Sequence, residues 1–169
     1  MQFNREALAE GPRCELLTTT CVTYEARFPW TTKYIAICSH IRVPDQLLSA
    51  SSGLPKGTVI VRLAELPDPC VVATSLTYVD EDYAAGLARL RNPSLQALLY
   101  LTRSRQASQA IELTREGDVI VVGAESPSSL SQALSMLGVS DGEIEKSTMP
   151  PCDEASLQRL SSHRLDMLK

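Results

Sequence analysis

Four consecutive β-branched residues, Val119-Ile120-Val121-Val122, run into Gly123-Ala124 after Gly117-Asp118. β-branched side chains are stiff in a helix and pack well on a pleated surface, so this run reads as a strand. Successive side chains of a strand point to opposite faces. A strand that is apolar at every position therefore needs cover on both faces, and the remaining chain must supply layers on either side of it. With 169 residues there is room for one such domain, spanning 1–169, with a core that needs no staple. Aromatics make up only 5 % of the chain, so that core is aliphatic.

The other elements follow from periodicity and punctuation. Cys14–Tyr24, Tyr34–Val43 and Thr58–Leu63 are rich in β-branched residues and read as strands. A short helix begins at Pro44 and is ended by Ser51-Ser52-Gly53. Val72, Leu76, Val79, Tyr83, Leu87 and Leu90 are spaced by 4, 3, 4, 4 and 3, which predicts one long helix with all six on one face. Asp68 is its expected cap and Pro69 its first residue. Asn92-Pro93 stops that helix and starts another, and Ser104 is expected to cap a third that carries Ala107, Ala110 and Ile111. Ser126-Pro127 begins a helix closed by Gly138, and a last helix starts near Asp153. The sum is a mixed α+β domain: about four strands in a mainly antiparallel sheet, flanked by about six helices.

Composition limits the chemistry. Sixteen basic and 20 acidic residues leave a net charge of −4, which excludes a protein that coats a duplex through bulk charge, and no DNA partner is expected. Neither a secretory signal nor a stretch long enough to cross a bilayer is read from the sequence, so no membrane partner is expected. The five cysteines (Cys14, Cys21, Cys38, Cys70, Cys152) show no CxxC spacing and read as idle thiols of a cytoplasmic protein. Cys38-x-His40 is the nearest approach to a metal pair, and no metal or other cofactor is expected. Phosphate loops, dinucleotide fingerprints and nucleophile elbows are missing, and His40 and His163 are far apart in the chain. Asp80-Glu81-Asp82 fans out around a helix and reads as a solvated face. No catalytic residue is nominated; a binding module is expected rather than an enzyme.

One stretch carries a resemblance. Val59-Ile60-Val61-Arg62-Leu63 leads through Pro67-Asp68-Pro69 into the long helix, and Leu98-Leu99-Tyr100 is followed by a turn, Arg105-Gln106 and a short helix centred on Ala107 and Ala110. In this order, continuing through Asp118–Ala124 and Pro127–Leu137, the chain resembles the regulatory, kinase-binding subunit of the KEOPS complex (TPRKB-type, archaeal-like) from about Thr58 to Gly138. It departs from that family over residues 20–50 and after Gly138. The resemblance implies a non-catalytic subunit that binds and stimulates the kinase-like ATPase of KEOPS. It also implies binding of the unpaired 3′ CCA end of tRNA during threonylcarbamoylation of the adenosine beside the anticodon.

On this reading Arg103, Ser104, Arg105, Gln106 and Tyr100 are the candidate tRNA-binding residues. A helix N-terminus attracts phosphate, arginines fork onto phosphate oxygens, and a glutamine reads a base edge. Tyr100 can stack on a base or fill the core. Leu157, Leu160 and Leu168 form an apolar stripe on the last helix that can dock the ATPase or cap the chain's own core. Two alternatives stay open: a protein–protein adaptor of the same fold without RNA binding, and a small-molecule-binding domain.

Overall fold

The computed structural model describes residues 18–44, 48 and 53–168. The start of the strand expected from Cys14 and the short helix expected after Pro44 lie mostly outside these residues. Among the described residues the chain runs β1 (Thr20–Arg27), β2 (Thr32–Ser39), β3 (Val59–Leu63), α1 (Pro69–Ala84), α2 (Pro93–Thr102), α3 (Ala107–Thr114), β4 (Val119–Ala124), α4 (Pro127–Met136), β5 (Ile144–Lys146) and α5 (Glu154–Met167). The fold is mixed α+β, with a single sheet ordered β3-β4-β2-β1-β5. Three strand pairs are antiparallel, and the fourth, β1 with β5, is parallel. The sequence expectation of about four strands and six helices thus becomes five and five among the described residues. β5 was missed because three residues carry no period.

β4 is buried at all six positions, as its continuous apolar run requires. Val119 and Val121 join Ile35, Ile37, Val61 and Leu63 under α1, α2, α3 and α5. Ile120 and Val122 join Ala36, Cys38 and Ile60 on the opposite face, under Leu130, Ala133 and Leu134 of α4. Full burial of one such aliphatic side chain contributes roughly 1.5–3 kcal/mol, so the alternation along β4 fastens both layers to one strand. Lys33, buried at the start of β2, reaches Asp80 of α1 and, at 3.2 Å, Glu125 beyond β4.

Four helices are capped where the sequence puts their starts: Asp68, Asn92, Ser126 and Asp153 each accept a hydrogen bond from a first-turn N–H of the helix they precede. The long helix is shorter than its apolar period suggests. Gly86 adopts φ 74°, the Leu87 N–H donates to Asp82 O at 2.7 Å, and α1 stops two residues earlier, at Ala84. Tyr83 and Leu87 are consequently exposed rather than on a buried face. No helix among the described residues is long and apolar enough to cross a membrane.

The cysteines depart most from expectation. Cys21 and Cys38, directly paired across β1 and β2, form one disulfide, and Cys70 and Cys152 form another. Cys38 is therefore no metal ligand. Spacing along the chain could not reveal these pairs, because strand pairing and helix packing bring the partners together.

Candidate functional site: the turn between α2 and α3

α2 ends because its backbone turns left-handed. Arg103 has φ 53° and ψ 42°, the Ser104 N–H donates to Leu99 O at 3.0 Å, and the Arg103 N–H donates to Tyr100 O at 3.3 Å. These two bonds satisfy carbonyls that a helix end leaves without partners. α3 starts four residues later with Gln106, not Ser104, at its N-cap, and the Gln106 side chain makes no capping hydrogen bond. Its first-turn N–H groups thus lack a side-chain acceptor and present a partial positive charge. Arg103, Arg105 and Gln106 are all exposed around this end. One Arg105 nitrogen donates to the Asp166 carbonyl of α5 at 3.4 Å. The turn can therefore offer two guanidinium groups, a primary amide and free backbone donors to one anionic ligand.

Beneath the turn lies a buried polar network. Asp82 is fully buried in α1, where it accepts hydrogen bonds from the Tyr100 hydroxyl, from Gln96 Nε2 at 3.2 Å and from Arg164 at 3.0 Å. Arg164 also pairs with Glu81 at 3.1 Å and lies 4.3 Å from the centre of the Tyr78 ring. Gln96 Oε1 accepts from the Arg89 and Leu90 N–H groups, closing the segment between α1 and α2. A buried carboxylate is tolerable only with such a complement of donors. Burial, reinforced by Asp82, pushes the Tyr100 phenol well above its ordinary value. His163 packs edge-on against Tyr100 with Nε2 3.2 Å from Leu99 O, and burial holds its imidazole below the ordinary 6.5.

The structure brings Arg103, Arg105 and Gln106 together at the surface and places Ser104 and Tyr100 under them. Tyr100 is 1 % exposed with its hydroxyl on Asp82, so its ring supports the turn and is closed to a base. Ser104 is buried and accepts from the Thr102 hydroxyl at 2.8 Å. Of the α5 leucines, Leu160 is buried in the chain's own core, Leu157 is half-buried and Leu168 is 38 % exposed. Leu165, which the sequence reading passed over, is 65 % exposed. The expectation of a solvated acidic face fails at Asp82, and His163 beside Arg164 is half-buried. A signal for the network was present: Asp82 lies three residues after Val79, and Arg164 lies between Leu160 and Met167 at spacings of 4 and 3. Opposite charges on the apolar faces of two helices mark a buried pair.

A separate cleft of about 620 Å³ opens between β3 and the helices α2 and α3, with Leu95, Leu98 and Ile111 among its walls. None of the turn residues lines it. No protein-family model matches the chain, and no curated protein matches it.

Proposed function

We propose that this chain is a non-catalytic regulatory subunit of the KEOPS type. It holds the unpaired 3′ CCA end of tRNA at the α2–α3 turn and binds the kinase-like ATPase that carries out the chemistry. The observation that carries the reading is the joint exposure of Arg103, Arg105 and Gln106 around an uncapped helix start, in the segment that bears the family resemblance. Backbone donors and guanidinium groups suit phosphate oxygens, and Gln106 suits a base edge. Three or four unpaired nucleotides need only a few cations, which a chain of net charge −4 can concentrate in one turn. The ATPase would dock on the outer face of α5, where Leu157, Leu165 and Leu168 remain after Leu160 is committed to the core. A cytoplasmic location belongs to the same reading.

The test is a binding titration with intact tRNA and with tRNA trimmed of its CCA end. Trimming and the Arg103→Glu, Arg105→Glu double substitution should each remove most of the affinity, while the double variant keeps its melting temperature and its ATPase partner. Equal affinity for the two RNAs, or undiminished binding by the double variant, overturns the RNA role. The adaptor reading would then account for an intact ATPase complex.

A further inference from the structure

This inference rests on the cytoplasmic reading proposed above: disulfides in cytosolic proteins are ordinarily transient, catalytic or redox-sensing, and those of hyperthermophiles are the main exception. That raises the question of what Cys70–Cys152 does. It joins the second residue of α1 to the irregular segment just ahead of α5, closing 82 residues of chain. The segment from 147 to 153 has no regular structure of its own. α5 is lightly embedded: only Leu160 and Met167 of its 14 residues are buried, against eight of 16 in α1. Yet α5 is what steadies the α2–α3 turn, through His163 on Leu99 O and through the Asp166 carbonyl that Arg105 reaches.

We propose that Cys70–Cys152 is a redox latch that fastens α5 to α1, so that its reduction by a small-molecule thiol loosens α5 together with the Arg103–Gln106 turn. Access is one-sided, because Cys152 is exposed whereas Cys70 is buried. A reductant thiolate attacks the Cys152 sulfur, the Cys70–Cys152 bond breaks, and Cys70 departs with the electron pair as a thiolate. A second reductant thiolate then attacks the mixed disulfide on Cys152, releasing the oxidised reductant and the Cys152 thiolate. Two thiols are oxidised and one protein disulfide is reduced. Leu160, Met167 and the Arg164–Asp82 bond keep α5 nearby, so reduction is a local loosening and not the loss of the helix.

The experiment is amide hydrogen exchange read by mass spectrometry, with a non-reducing digest of the same protein. Protein handled without reductant should yield a peptide linking Cys70 to Cys152. The Cys70→Ser, Cys152→Ser double variant should exchange roughly tenfold or more faster over Glu154–Met167 and over 103–110, with β2 and β4 unchanged. Should that variant fail to fold, stepwise reduction of the wild-type protein gives the same reading. Exchange in the two segments should rise in step with alkylation at Cys152. Free thiols at both positions in unreduced protein overturn the proposal. So does exchange that is unchanged, or that rises equally in β2 and β4, since a uniform rise marks a staple of the whole fold.

Discussion

Three helices end in the same pair of backbone bonds, and only one of them does so without glycine. α1 closes on Gly86 at φ 74°, α4 on Gly138 at φ 82°, and α2 on Arg103 at φ 53°. A side chain in the left-handed region costs about 1–2 kcal/mol relative to glycine, partly offset by the entropy glycine loses on folding. Such outliers are tolerated where the side chain is needed. Arg103→Gly should therefore raise stability by about 0.5–1 kcal/mol, seen as a melting temperature a few degrees higher, and should weaken binding of single-stranded tRNA ends. A variant that is less stable than wild type would show that the arginine serves the fold.

His163 supplies a second expectation at this scale. Burial lowers its folded-state value below 6.5, so as the pH falls past about 6.5 the unfolded chain takes up a proton before the folded one does. Stability is thus favoured above the unfolded value and lost on acidification. The melting temperature should drop more steeply between about pH 7 and pH 5.5 in the wild type than in His163→Gln, which keeps a donor for Leu99 O without titrating there. Parallel profiles would remove His163 as the cause.

At the scale of elements, α5 shows what one sequence can and cannot reveal. Its start at Asp153 and the stripe of Leu157, Leu160 and Leu168 were legible, because capping chemistry and helical spacing are local, whereas Leu165 and Met167 were not picked out. Which edge of that stripe was buried was not, because packing against α1 and α2 selected Leu160 with Met167 and left Leu168 exposed. Similarly, the α2–α3 turn was legible as a helix end followed by exposed arginines. The burial of Tyr100 was not, because it depends on Asp82, 18 residues earlier, and on Arg164 from the last helix. Leu160→Ala should cost about 2–5 kcal/mol in denaturant unfolding, whereas Leu165→Ala should cost nothing measurable. Arg164→Met leaves Asp82 buried without its charge partner and should cost about 3–5 kcal/mol, and Asp82→Asn alone should also destabilise. The double variant should be less destabilised than the sum of the two singles by about 1–3 kcal/mol. Additive losses would mean that the two residues act separately.

For the whole molecule, the net charge of −4 opposes RNA everywhere except where cations gather locally. This fixes the salt dependence that the proposed role demands. Each phosphate neutralised on a single strand contributes about −0.7 to the slope of log affinity against log salt. Arg103 and Arg105 acting alone give a slope of about −1.4, far shallower than the value near −5 or beyond for a protein that lies along a duplex through six or more phosphates. The wild type should therefore bind tRNA weakly and lose little affinity between low and physiological salt. Arg103→Glu with Arg105→Glu should bring the slope close to zero as well as removing most of the binding. Measuring affinity at four or five salt concentrations decides this. A wild-type slope steeper than about −3 would mean that a broader positive surface, assembled elsewhere on the sheet or contributed by a second copy, engages the RNA, and the turn would then be one contact among several.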